Sequence, residues 1–212
     1  MTNICNVLQK EKILPVITVK DPRNAHMMIE IIKQGGLSTA EITLRTVGAI
    51  DAIKVAAQKF RDMWIGAGTV LNEKQAEAAI SAGAKFIVSP GFSEMIAEKC
   101  KKKEILYIPG CVTASEIMKV LDHSLSVVKF FPAEKIGGPD ILRSYLSVFP
   151  QVSFIPTGGI DSHNIKSYLN LENVLACGGT WIIQEKDLNH YEKTEYINKI
   201  RAESASIITE DG

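Results

Sequence analysis

Ile13-Leu14-Pro15-Val16-Ile17-Thr18-Val19, followed after Lys20 by Asp21-Pro22, is the stretch from which the fold is read. A short apolar run rich in β-branched residues reads as a buried strand. An acidic N-cap with proline at the first helical position stops that strand and opens a helix. The same alternation then continues to the end of the chain. Further apolar runs occupy residues 39–44, 64–67, 86–89, 106–108, 127–131, 153–156 and 174–176, which makes eight in all.

Between the runs, apolar residues recur at three-to-four spacing, as in Ala25-Met28-Ile29-Ile32, Ile50-Ile53-Ala57-Phe60 and Ile117-Val120-Leu121. Such segments are surface helices with one buried stripe. Asn72 before Glu73, Thr113 before Glu116, and Asp161 or Ser162 supply further helix starts, while Gly35-Gly36 and Gly83 fall where helices end. Eight strand-helix units in 212 residues imply one α/β domain over residues 1–212, a parallel (β/α)8 TIM barrel. Residues 2–12 are expected to form an extra N-terminal helix closing its bottom, and residues 191–208 the last helix. A doubly wound open sheet is the structural alternative, but no Gly-x-Gly-x-x-Gly follows the first run.

Composition removes several function classes. Lys plus Arg and Asp plus Glu are 24 each, so no net field recommends nucleic acid or an anionic membrane as a partner. Cys5, Cys100, Cys111 and Cys177 have no close pairing and no histidine spaced to complete a metal site, so reduced thiols and no bound metal are expected. The opening residues lack the basic and apolar regions of a signal peptide, and no apolar stretch approaches membrane-spanning length. The expectation is a soluble cytoplasmic protein. His26, His123, His163 and His190 fall in helical or helix-start segments without ligand spacing and are read as surface or helix-end residues.

Lys129 is the anomaly, because it interrupts Val127-Val128-Lys129-Phe130-Phe131-Pro132, which otherwise reads as a buried strand. Desolvation there favours the neutral amine, a nucleophile toward carbonyl carbon, and so points to Schiff-base chemistry. An edge lysine that snorkels to water is the bland alternative. Parity gives Lys129 an inward position shared with Val127 and Phe131 if Val128 and Phe130 face the helices.

The second run ends Glu41-Ile42-Thr43-Leu44-Arg45, with its polar members on one parity. Ile42 and Leu44 belong against the helices, so Glu41, Thr43 and Arg45 are expected to point inward, Arg45 nearest the mouth. Either Glu41 and Arg45 form a buried ion pair, or Arg45 holds a substrate carboxylate while Glu41 transfers protons.

The remaining strand ends are rich in glycine. Gly66-Ala67-Gly68-Thr69 permits close backbone approach and places the Thr69 hydroxyl at the mouth, whereas Ser89-Pro90-Gly91 and Pro109-Gly110 read as stiff exits, the latter as simple turn chemistry. Thr157-Gly158-Gly159 and Gly178-Gly179-Thr180 follow the seventh and eighth runs, where barrels build a phosphate cradle from backbone N–H groups. The pair of motifs is a stronger signal than either one.

With these motifs in hand, the sequence resembles the 2-keto-3-deoxy-6-phosphogluconate (KDPG) and 4-hydroxy-2-oxoglutarate (KHG) aldolase family of class I pyruvate aldolases. The likeness spans nearly the whole chain and rests on Glu41 to Thr46, Gly66 to Asn72, Ser89 to Gly91, Lys129 to Glu134 and Pro156 to Ile160. It implies Lys129 as the Schiff-base lysine, Glu41 as the proton-transfer residue, and Arg45 and Thr69 as the carboxylate site. Gly158, Gly159, Gly179 and Thr180 match the phosphate loops, Thr180 standing where relatives often carry serine. Thr157, Pro90 and Phe131 would complete the pocket. The resemblance further implies a homotrimer, a phosphorylated 2-oxo sugar acid and pyruvate as small-molecule partners, and no cofactor, since the lysine itself is the electron sink. Rival readings are an aldolase for the galactonate epimer, one acting chiefly on unphosphorylated KHG, a noncatalytic sugar-phosphate-binding barrel, and an isomerase using Glu41 as base.

Overall fold

The structure, a computed structural model, describes residues 4–189 and 192–208. Its strands are β1 (Ile13–Ile17), β2 (Thr39–Thr43), β3 (Trp64–Gly68), β4 (Phe86–Val88), β5 (Leu106–Ile108), β6 (Val127–Phe130), β7 (Ser153–Pro156) and β8 (Cys177–Gly179). Six of them form one parallel sheet in the order β5-β4-β3-β2-β1-β8, and β6 pairs with β7. Backbone bridges Gly110↔Lys129 and Thr157↔Gly178 join the two sheets, so all eight strands follow one another around a ring. This is the (β/α)8 order that the alternation of runs implies.

Helices α1 (Ile4–Glu11), α2 (Pro22–Gln34), α3 (Ala49–Lys59), α4 (Glu73–Ser81), α5 (Glu94–Lys102), α6 (Ala114–Asp122), α7 (Gly138–Val148), α8 (Ile165–Leu169) and α9 (Lys193–Ile208) alternate with the strands. The Asp21 carboxylate accepts from the Arg23 N–H, the Asn72 side chain caps Gln75, and Thr113 with Glu116 forms a reciprocal capping box. The start of α8 differs from expectation. Neither Asp161 nor Ser162 is its N-cap; Asn164 stands there, while Asp161 accepts from His163 in the preceding turn. Of the residues expected in terminal helices, Thr2, Asn3 and Tyr191 lie outside the described residues.

Strand parity sorts the apolar residues into two cores. Leu14, Phe86, Val88, Ile108 and Ile155 fill the barrel interior, and Ile4 and Leu8 of α1 pack onto them from below. Ile13, Ile17, Ile42, Ile65, Ile87, Val128, Phe130 and Phe154 face outward into the layer of helices. The Glu11 carboxylate secures the plug by accepting from the Ser38 N–H at 2.8 Å and the Thr39 hydroxyl at 3.0 Å. Apolar packing therefore dominates the lower barrel, where Thr39 and Glu11 satisfy each other, and Glu41, Thr43 and Lys129 lie toward its C-terminal end.

One strand is relocated. The eighth strand is Cys177–Gly179 rather than 174–176; Val174 makes only an isolated bridge to Phe154. Glycine is required inside this strand, because a methyl group on Gly178 would collide with Thr157 and one on Gly179 with the Trp181 ring. Gly110 is likewise more than a turn residue. It pairs with Lys129, and its missing side chain leaves room for the Pro90 carbonyl.

Candidate active site

Lys129 and Glu41 come from β6 and β2, four positions apart in an eight-strand ring and so on opposite walls of the barrel. Both side chains are long enough to cross the interior, and Lys129 Nζ lies 3.5 Å from Glu41 Oε1. The residues are 5% and 1% exposed, respectively. Lys129 is therefore no snorkelling edge residue. A carboxylate beside a buried amine supplies both a charge partner and a proton acceptor. The ring of Phe131 lies 5.5 Å from Lys129 Nζ and closes the amine from the side of β6.

Room for the pair comes from β3. Register places Gly66 beside Glu41 and Gly68 beside Thr43. A methyl group on Gly66 would overlap the Phe86 ring, and one on Gly68 would overlap the Glu41 carboxyl. The two glycines therefore admit neighbouring side chains into the barrel. Thr69, next along, has left-handed backbone at φ 55°, a conformation uncommon for a threonine and frequent at functional sites.

Arg45 departs from the parity argument. β2 ends at Thr43, and although the Leu44 N–H still donates to Gly68 O at 2.7 Å, the chain then turns and Arg45 is exposed. The buried ion partner of Glu41 is Lys129, and among the described residues Arg45 makes no ion pair. Thr43 does face inward, and its hydroxyl lies 2.8 Å from that of Thr18. Sequence reading passed over Thr18, although it shares the parity of Leu14 and Val16 and could have been found that way.

At the opposite rim, Gly158 and Gly159 have φ of 100° and 81°. Their compactness lets the loop lie against the 3-10 turn Ala133–Ile136, where the Glu134 N–H donates to Gly158 O at 3.1 Å. Tyr168 donates to the Glu134 carboxylate from α8. Thr157 is buried beneath this loop, Gly179 is paired with Pro15 inside β8, and Thr180 is exposed at the mouth.

Thr180 lines a cavity of about 530 Å³ together with Val16, Thr18, Lys20, Asn24 and Gln184. One wall is fixed by Glu185, whose carboxylate accepts from the Lys20 N–H at 2.8 Å, the Asp21 N–H at 3.0 Å and Asn24 Nδ2 at 3.0 Å. Val16 is in register with Glu41, so the cavity reaches down toward the level of the ion pair.

The β4 exit is held by a network that the sequence did not announce. The Tyr107 hydroxyl lies 2.6 Å from Ser89 Oγ, and both hydroxyls hydrogen-bond Gly91 O. Burial pushes the Tyr107 phenol up to about 12 and the Cys111 thiol to about 12. Pro90 itself is exposed on the loop this network fixes.

His26 packs on Phe60, and His123 sits at the end of α6 against Phe92. His163 is in a turn, and His190 lies outside the described residues. Among the described residues, no group of three His, Cys, Asp or Glu side chains is arranged to hold a metal ion.

The family model described as KDPG and KHG aldolase matches residues 4–200. The KHG/KDPG aldolase of Escherichia coli K12 is 41% identical over 182 residues, covering 86% of this chain and 85% of that one. A 2-dehydro-3-deoxy-phosphogluconate aldolase from Treponema pallidum is 38% identical over 188 residues, covering 89% and 90%. Among solved structures, a KDPG aldolase from Legionella pneumophila, with pyruvate captured at low pH as a covalent carbinolamine intermediate, aligns with a TM-score of 0.89 at 38% identity, covering 95% of this chain and 98% of its own. One from Zymomonas mobilis ZM4, with 3-phosphoglycerate, gives 0.88 at 35% identity, covering 96% and 95%.

Proposed function

The chain belongs to the KDPG and KHG aldolase family, and from that premise we infer that Lys129 carries out Schiff-base aldol cleavage at the barrel mouth. The protein is an aldolase, a carbon–carbon lyase. Its reaction is the reversible cleavage of 2-keto-3-deoxy-6-phosphogluconate to pyruvate and glyceraldehyde 3-phosphate, with KHG cleavage to pyruvate and glyoxylate alongside. The observation that carries the residue assignment is the buried pair of Lys129 and Glu41 at 3.5 Å.

Lys129 passes a proton to Glu41, and its freed amine attacks the ketone carbon of the 2-oxo acid. Glu41 shuttles protons as the carbinolamine loses water to give an iminium. Glu41 then removes the proton of the 4-hydroxyl; the C3–C4 electron pair moves into the iminium, and the aldehyde departs. Protonation of the enamine at C3 and addition of water return pyruvate and the free lysine. The lysine provides the electron sink, so the cycle calls for no cofactor.

Arg45 and Thr69 are assigned to the substrate carboxylate, supported by their places just beyond β2 and β3 on the rim nearest Glu41. Gly158, Gly159, Gly179 and Thr180 are assigned to the far phosphate. That role is supported by glycine backbone an anion can approach closely and by the cavity at Thr180. Thr157, Pro90 and Phe131 complete the pocket. We place this single domain in the cytoplasm as a homotrimer, with exposed Leu71, Met95 and Met118 as apolar surface for contacts. Sedimentation equilibrium tests the assembly, and a monomer mass at micromolar concentration would refute it.

Borohydride reduction in the presence of pyruvate tests the chemistry. A mass adduct on Lys129 is expected, and its absence would leave a noncatalytic binding barrel or an isomerase. Comparing kcat/KM for the gluconate substrate, its galactonate epimer and KHG then ranks the aldehydes.

A further inference from the structure

The hydroxyls of Thr18 and Thr43 lie 2.8 Å apart, one layer above the level of Glu41. Val16 is in register with Glu41, and Thr18 and Thr43 are each two residues further along, about 7 Å nearer the mouth. Their burial differs. Thr43 is fully buried, whereas Thr18 is half-buried and lines the cavity shared with Thr180.

This asymmetry fixes the direction of the hydrogen bond. Among the described residues, the Thr43 hydroxyl hydrogen-bonds the Thr18 hydroxyl alone. If Thr18 were the donor, the Thr43 proton would be buried without an acceptor, its desolvation uncompensated. Thr43 therefore donates and Thr18 accepts, and the Thr18 O–H is left to point into the cavity. Thr43 acts as a positioning residue that sets this rotor.

The substrate would pass this point. On the proposed reading, its C2 is anchored on Lys129 and its phosphate is held near Thr180, so the carbons beyond the scissile bond lie between them. We propose that Thr18 is a specificity-determining residue that donates a hydrogen bond to the hydroxyl on the carbon adjacent to the reacting carbonyl of the aldehyde half. Its ligand class is a 2-hydroxyaldehyde phosphate, and an aldehyde lacking that hydroxyl forfeits the contact.

The test runs the reaction in the condensing direction. Pyruvate is supplied with glyceraldehyde 3-phosphate or with 3-oxopropyl phosphate, the same aldehyde without its 2-hydroxyl. The wild-type enzyme should favour the hydroxylated aldehyde in kcat/KM. Thr18→Val, equal in shape, should lower that preference about tenfold, the worth of one neutral hydrogen bond. Thr18→Ser should retain it. A wild-type enzyme with no preference, or a ratio unchanged in Thr18→Val, overturns the proposal, and the wild-type arm does not depend on any variant folding. The inference rests on the Schiff-base reading, and the two fail separately. No borohydride adduct on Lys129 sinks the mechanism, whereas an adduct with an unchanged ratio sinks only the role of Thr18.

Discussion

Gly68 gives Glu41 its place in the barrel: a methyl group at position 68 would occupy the same space as the Glu41 carboxyl. The two residues sit on adjacent parallel strands, and an absent side chain on β3 is what lets a charged one on β2 reach Lys129.

Gly68→Ala should therefore act on catalysis through Glu41. Displacing a catalytic group by about 1 Å costs on the order of 100-fold in rate, and overpacking costs about 1–3 kcal/mol of stability. Steady-state kinetics and urea unfolding measure both. Gly91→Ala, whose added methyl meets nothing within 4 Å, is the control for stability. Turnover of Gly68→Ala within a few-fold of wild type would show that Glu41 is not held where it must be.

Lys129→Ala should abolish turnover and also destabilise the fold, because it leaves a carboxylate that is 1% exposed without its cation. Breaking a buried pair in this way costs about 3–5 kcal/mol. Glu41→Gln in the same chain should restore part of that loss, since a neutral amide needs no counter-charge. Additive losses in the double variant would mean that the two groups are not energetically coupled.

Glu41→Gln alone should still accumulate some pyruvate adduct on borohydride treatment while cleaving substrate at least about 100-fold more slowly. Turnover at the normal rate would remove Glu41 from proton transfer.

Buried thiols make the fold sensitive to alkali. Burial raises Cys100 and Cys111 from an ordinary value near 9 to about 12, and Tyr107 from 10 to about 12. The folded state thus holds these protons more tightly than the unfolded chain. The associated stability is complete below pH 9 and is lost progressively as pH rises toward 12. Urea midpoints should fall between pH 8.5 and 10.5, and the fall should be shallower in Cys100→Ala/Cys111→Ala. Identical slopes would contradict the assignment.

Tyr107→Phe should loosen the β4 exit by deleting a hydroxyl that bonds Ser89, Gly91 and Ser93. A stability loss of about 1–2 kcal/mol is expected, and, on the proposed assignment of Pro90 to the pocket wall, KM should rise more than kcat falls. Unchanged stability would mean that the network is dispensable.

Periodicity and parity carried most of the fold and the centre of the site. Eight apolar runs separated by capped helical stripes imply the barrel, and the parity of Lys129 and Glu41 puts both inside it. Parity failed at Arg45, because it presumes a strand that continues, whereas β2 ends at Thr43. It also missed the eighth strand, since Cys177–Gly179 looks like a loop by composition. Glycine is there because Thr157 and Trp181 need the space, a demand made by neighbours distant in sequence.

Strand alternation is a local property of the chain, so it dictates which residue types face inward and that a lysine and a glutamate share that interior. Long-range packing brings Lys129 and Glu41 together across the ring, makes Gly68 yield the space, and sets Thr18 beside Thr43 on the cavity wall. Those facts depend on the register between strands and on which walls stand opposite each other, and register is set by packing among residues far apart in the chain.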